Sequence, residues 1–289
     1  MSLYDQGMAL PEQLMRRSPR ALFAALAIMA VGAAPAPEAA GPALWRLDCG
    51  TIEVGNLDQY SDTYQYVGQR KTFADSCYLI RNGGRYLLWD TGLPGELAGT
   101  SKEDGGDRMT LGRRIRDQLA EINVRPEQVT FVGISHYHYD HTGQAADFAQ
   151  ATLLVDRRDW EAIKGRPDRA KPFAPWIGGG GKVEPLTYDH DVFGDGTVTM
   201  LATPGHTPGH RSLLVRLKQG GPVLLSGDAV HFAENWATPG VPGFNTSRAE
   251  TLASIDRLAR IAEQLKARLI IQHEPADIGK LPPFPKAAR

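Results

Sequence analysis

The sequence predicts an α/β fold, an αββα sandwich in which two mixed β-sheets are flanked by helices. Three observations carry this reading. Strand-like apolar runs open the chain from residue 44, and further on strands alternate with helical stripes. A hydrophobic fraction of 42% over 289 residues is ample for one large core. Four of the strand-like runs lead directly, or through a Gly or Pro corner, to His or Asp, which places polar chemistry along one rim.

Taken in order, residues 44–54 and 76–80 read as strands, and they hold the two cysteines, Cys49 and Cys77. If these strands are neighbours a disulfide is geometrically open to them; otherwise they are two buried thiols. Residues 86–89 form a further strand after the Asn82-Gly83-Gly84 turn. From 110 to about 122 the spacing of Leu111, Ile115, Leu119 and Ile122 predicts a helix. Residues 129–135 and 152–155 are strands, and Asp156 starts a short helix through 164. Strands follow at 198–202, 223–226 and 268–272. Before the last of these a long helix begins at Ser247, whose hydroxyl can cap it while Glu250 returns the bond. Its buried stripe is Leu252, Ile255, Leu258 and Ile261. Two long segments, 56–75 and 165–182, show no periodicity and carry Tyr60, Tyr64, Tyr66, Phe73, Phe173 and Trp176. Irregular stretches of that length commonly serve function.

Residues 1–42 read as an N-terminal extension and 43–289 as the folded domain. The run Arg16-Arg17-Ser18-Pro19-Arg20, the apolar stretch 21–31 and the small residues and prolines up to 42 have the order of a secretory signal. Cleavage is expected within 33–41, giving a periplasmic or secreted protein. The apolar stretch is too short to span a bilayer, so no stable membrane anchor is expected. With 32 basic and 33 acidic residues the net charge is −1, and nothing suggests a surface for nucleic acid.

The chemistry concentrates in His136-Tyr137-His138-Tyr139-Asp140-His141, four metal-binding side chains within six residues. Imidazole and carboxylate together suit zinc and similar first-row dications, and four such groups in a tight turn can serve two ions. The other strand ends supply His206 after Thr203-Pro204-Gly205, Asp228 after Gly227, and His273. No Ser or Cys nucleophile is needed beside such a centre, and both cysteines lie far upstream.

This set resembles the metallo-β-lactamase superfamily, through HxHxDH at 136–141, the Thr-Pro-Gly-His corner, the Gly-Asp step, the late His273 and Leu88-Trp89-Asp90-Thr91-Gly92. Within it the chain is most similar to the N-acyl-homoserine lactonases, from Ser76-Cys-Tyr-Leu-Ile-Arg81, Gly227-Asp-Ala229 and Glu234-Asn-Trp236. The resemblance runs from about residue 44 to the end and implies that superfamily's fold. It implies two divalent ions, zinc first, with Mn, Co or Fe open to the same ligands. His136, His138 and His206 would hold one ion, Asp140, His141 and His273 the other, and Asp228 both. A hydroxide shared between the ions would attack the lactone carbonyl of an N-acyl-homoserine lactone, silencing a quorum signal, with Asp140 relaying the proton. Tyr139, between ligands, would touch the substrate or, as is commoner for such a Tyr, face the core. Phe173 and Trp176 would line an acyl-chain groove or pack down their own loop. His231 stands where such lactonases place Tyr; its imidazole would donate to the oxyanion or protonate the leaving oxygen, or be a structural histidine near the site. The alternative is an exported organophosphate or aryl-ester hydrolase with the same ligands; a β-lactamase fits less well because of Asp228. The partner implied is a small lactone or ester, and the resemblance extends to a homodimer.

Overall fold

The structure, a computed structural model, describes residues 41–289. The signal-like run lies outside these residues. Eight strands form the larger sheet: β1 (Ala43–Val54), β2 (Lys71–Asn82), β3 (Arg85–Trp89), β4 (Thr100–Asp104), β5 (Asp107–Leu111), β6 (Phe131–Gly133), β7 (Thr152–Asp156) and β8 (Val183–Leu186). Their order across the sheet is β4-β5-β1-β2-β3-β6-β7-β8. The smaller sheet holds β9 (His190–Asp191), β10 (Val198–Ala202), β11 (Arg211–Leu217), β12 (Gly221–Leu225) and β13 (Arg268–Ile270), in the order β13-β12-β11-β10-β9. Both sheets are mixed: β3, β6, β7 and β8 run parallel in the first, and β12 and β13 in the second.

Three apolar layers make the sandwich. Between the sheets, Tyr78, Leu87 and Trp89 of the larger meet Met200, Leu213 and Leu225 of the smaller. On the outer face of the larger sheet, Leu79 and Val132 pack with Ile115, Leu119 and Trp160 from helices Ile115–Glu121 and Arg157–Lys164. On the outer face of the smaller sheet, Leu214 and Leu224 pack with Leu258 of helix Arg248–Leu265. The Ser247 hydroxyl accepts from the Glu250 amide at 3.3 Å, the cap its sequence predicts. No helix of the described residues is long and apolar enough to cross a membrane.

β1 and β2 pair antiparallel along their whole length, with a bulge between Asp48 and Gly50. Cys49 sits at that bulge and is joined to Cys77 by a disulfide, with Cα atoms 5.8 Å apart. Two expectations are corrected. The predicted helix over 110–122 is shorter, Ile115–Glu121. Gly105 and Gly106, both at positive φ, fold β4 back onto β5, and Thr110 pairs with Thr51 of β1. Leu111 is buried as expected, but from a strand. Residues 71–75 of the segment read as irregular belong to β2.

Candidate metal centre

The sheet directions bring the polar corners together. β11 is antiparallel to both β10 and β12, and β13 is parallel to β12, so β10, β12 and β13 point the same way. His206, Asp228 and His273 therefore emerge at one edge of the smaller sheet. In the larger sheet β3 and β6 are parallel, so Asp90 and the 136–141 run emerge together. Two hydrogen bonds, one backbone and one from the imidazole, stitch the rims: the Ala74 amide donates to the His273 carbonyl at 3.1 Å, and His273 Nδ1 donates to the Ala74 carbonyl at 3.0 Å.

All seven predicted metal ligands meet in two groups, His136, His138, His206 and Asp228 in one and Asp140, His141 and His273 in the other. Within each group the donor atoms lie inside 4.8 Å of one another. His136 Nε2 and His206 Nε2 each stand 2.9 Å from His138 Nδ1. Asp228 faces both groups: Oδ2 is 3.5 Å from His206 Nε2 and 3.3 Å from His141 Nε2, and Oδ1 is 3.2 Å from His273 Nε2. Asp140 Oδ2 lies 3.7 Å from both His141 and His273.

These residues fit a dinuclear divalent-metal site. Imidazole nitrogens turn toward one another rather than toward protein acceptors, and His141 Nε2 and Asp228 Oδ1 are buried without a hydrogen-bond partner. Sealed polar atoms of this kind are costly unless something binds them. Burial, reinforced by neighbouring imidazoles, holds His136 and His206 well below the usual histidine range. Burial likewise pushes His138 down to about 4. These three rings are neutral, the form a metal takes. At His141 and His273 burial also acts downward, but Asp228 leads the carboxylates that outweigh it. His141 is raised well above its usual value and His273 to about 9. Conversely, burial would raise Asp228, but His141, His273 and His231 together hold it well below the carboxylate range. Negative charge at this spot calls for cations.

A second ring of side chains fixes the donors, as metal-binding histidines ordinarily require. Asp90 Oδ2 lies 2.9 Å from His141 Nδ1 while its Oδ1 accepts from the Ser135 amide at 2.7 Å. Ser135 Oγ is 3.0 Å from His136 Nδ1. Asn245 Oδ1 is 2.8 Å from His206 Nδ1 and is itself held through Thr251. His210 Nε2 accepts from the Asp228 amide at 2.8 Å. That contact needs Gly227, at φ +53°, because a Cβ there would lie 2.6 Å from His210 Nε2. Asp90 was visible in the sequence without a role. His210 carried one readable signal, a histidine just before a strand four residues after a ligand. Asn245 carried none.

The predicted substrate contacts fare differently. Tyr139 opens the short helix Tyr139–Thr142, is 49% exposed, and walls two cavities of about 560 and 550 Å³. Phe173 and Trp176 do not line the site. They are 0% and 3% exposed, pack with Trp160, and Trp176 Nε1 donates to the Ala151 carbonyl. Short helical turns, such as Pro167–Ala170 and Ala174–Ile177, fold their segment down onto the core. His231 is at the centre: Nε2 faces Asp228 Oδ2 at 3.3 Å and Nδ1 is buried without a partner. The aromatic side chains that do stand against the centre are Tyr60 and Phe244: their rings pack 5.4 Å apart, both contact His231, and Phe244 also contacts His206.

Asp159 locks the His206 corner to the neighbouring helix, accepting from Thr207 Oγ1 at 2.7 Å and the Gly209 amide at 2.6 Å. Burial pushes its carboxyl up to about 7, against those two hydrogen bonds. Its folded value thus lies above the unfolded one of about 4. The folded state binds the extra proton, so this stabilisation is full below about pH 4 and is lost as pH rises through about 7. Thermal melts of Asp159→Asn should therefore lose less stability than the parent between about pH 5 and about pH 8.

A family model described as the metallo-beta-lactamase superfamily matches residues 71–271. The N-acyl homoserine lactonase AttM of Azorhizobium caulinodans is 36% identical over 186 residues, 59% of this chain and 66% of that protein. The chain thus spans just under two thirds of that relative's length. An N-acyl homoserine lactonase of a Bacillus species is 33% identical over 209 residues, 68% of this chain and 80% of its own. Among solved structures, an N-acyl homoserine lactone hydrolase with the product N-hexanoyl-L-homoserine at its catalytic metal centre superimposes with a TM-score of 0.73. It is 26% identical in sequence, covering 86% of this chain and 100% of that one.

Proposed function

This chain belongs to the metallo-beta-lactamase superfamily, and from that premise we propose that it is a dinuclear-metal hydrolase opening the lactone ring of N-acyl homoserine lactones. The observation that carries the reading is the complete donor set, with Asp228 common to both groups. Two divalent ions held there, zinc being best suited to this His and Asp set, would polarise a carbonyl and make water nucleophilic near neutral pH. One water adds across the ring ester, the acyl C–O bond breaks, and a hydroxyl, a carboxylate and one proton result. Loss of the closed ring removes the signal, which is quorum quenching.

The chain's own groups set the rest. Asp140 is 9% exposed against 3% for Asp228, so of the two carboxylates it is the one able to pass the released proton to solvent. His231 keeps Asp228 in place. The cavity of about 560 Å³ beside His138, lined by Arg114, Tyr137, Tyr139, Ala146 and Arg169, offers room for an acyl chain. The basic and apolar run before residue 32 and the Cys49–Cys77 disulfide both suit a periplasmic or secreted enzyme.

Acid release from short- and long-chain acyl-homoserine lactones, run beside a phosphotriester and an aryl ester, tests the reading. Lactones should be the fastest substrates; chelation should abolish turnover and zinc should restore it, with two metals bound per chain. Faster phosphotriester or ester turnover would leave a metal hydrolase and remove the lactonase.

A further inference from the structure

We propose that the Tyr60 phenol is a catalytic residue, the hydrogen-bond donor that meets the substrate carbonyl as it becomes an oxyanion. The inference rests on the lactonase reading above.

Tyr60 ends the 3-10 turn Leu57–Tyr60, far in sequence from every ligand. Its ring is held edge-on by four others: His231 at 4.9 Å, Phe73 at 5.0 Å, Phe244 at 5.4 Å and Phe232 at 6.2 Å between centroids. The backbone is pinned as well, because Asn235 Nδ2 donates to the Tyr60 carbonyl at 3.2 Å. A phenol fixed on so many sides cannot swing to find a partner, and no group among the described residues hydrogen-bonds its hydroxyl. The residue is only partly buried.

The other candidate donors are committed or misplaced. His231 Nε2 faces Asp228 and its Nδ1 is sealed in. Tyr139 is 49% exposed and stands on the outer wall of the two cavities. Two of the rings that hold Tyr60 border the donor groups: His231 faces Asp228 at 3.3 Å, and Phe73 stacks on His273 at 5.6 Å. Through those contacts the Tyr60 ring stands beside both donor groups, and a phenol keeps its proton at working pH. A preorganised donor at that spot strengthens as charge develops on the carbonyl oxygen, so it acts on the transition state more than on the bound lactone.

Tyr60→Phe removes one oxygen and keeps every ring contact. In the metal-loaded enzyme it should lower kcat for N-hexanoyl homoserine lactone about ten- to hundred-fold while KM stays within about two-fold. Metal content and melting temperature should match the parent. Tyr64→Phe, in the same loop but 79% exposed, should turn over like the parent. Unchanged kcat in Tyr60→Phe, a rise in KM alone, or a fall that tracks lost metal would each overturn the role. A parent enzyme inert toward lactones would overturn the underlying function, and this role with it; that outcome appears before any variant is compared.

Discussion

Asp228→Ala should abolish lactone turnover and strip both metals together. The carboxylate stands within 3.2 to 3.7 Å of His136, His141, His206, His231 and His273, and it is the one anion shared by the two donor groups. Each group keeps three other ligands or fewer once it is gone, and the charge balance that favours two adjacent dications is lost. Turnover should fall at least about a thousand-fold, the combined effect of lost metal and lost polarisation. Asp140→Ala provides the contrast, since it belongs to one group alone: metal analysis should show about one ion retained. The fold itself should survive in Asp228→Ala. His141 and His273 owe their raised pKa values chiefly to Asp228 in opposition to burial, so without it they return to neutral rings that burial tolerates. A variant that keeps two metals per chain by elemental analysis would show that Asp228 is not the shared ligand.

The donor set was legible because its signal is doubly unusual. Histidines and aspartates seldom follow short apolar strands in such number, and four strands here lead to them within a few residues. Strand direction then does the assembly, which is why residues as distant as His136 and His273 meet. The helix over 110–122 misled because Leu111 lies in phase with Ile115 and Leu119 while belonging to β5; the clue was the Gly105-Gly106 turn upstream. Phe173 and Trp176 misled for another reason. An aromatic in an aperiodic stretch looks the same whether its loop roofs a cleft or folds onto the core, and only the contacts with Trp160 and Ala151 decide. His231 shows the limit most clearly: its place three residues after Asp228 was readable, but the direction of its nitrogens was not. Asn245 and Tyr60 reach the centre from loops whose path no local pattern encodes.

The largest loss of stability from one change remote from the ligands is expected at Asp156→Asn. Asp156 is 2% exposed and pairs with Arg211, 0% exposed, at 2.8 Å. The pair spans the sandwich, from the end of β7 in one sheet to the start of β11 in the other. Arg211 also donates to the Tyr188 carbonyl, and its Nε has no partner, so the guanidinium depends on Asp156 for its counter-charge. Asparagine keeps the side-chain oxygen that caps helix Arg157–Lys164 through the Arg158 amide, so the change isolates the charge. A buried guanidinium left without its anion costs about 3 to 5 kcal/mol. For a domain of this size that lowers the melting temperature on the order of 10 °C. The loss should reach the metal centre too, because the Arg211 amide donates to the Ser135 carbonyl beside His136, and weaker metal retention should accompany the lower melt. The double change Asp156→Leu with Arg211→Met removes both charges and should recover much of the stability. If Asp156→Asn melts within about 2 °C of the parent, the pair is wetter than its burial implies and the sheets are held by apolar packing alone.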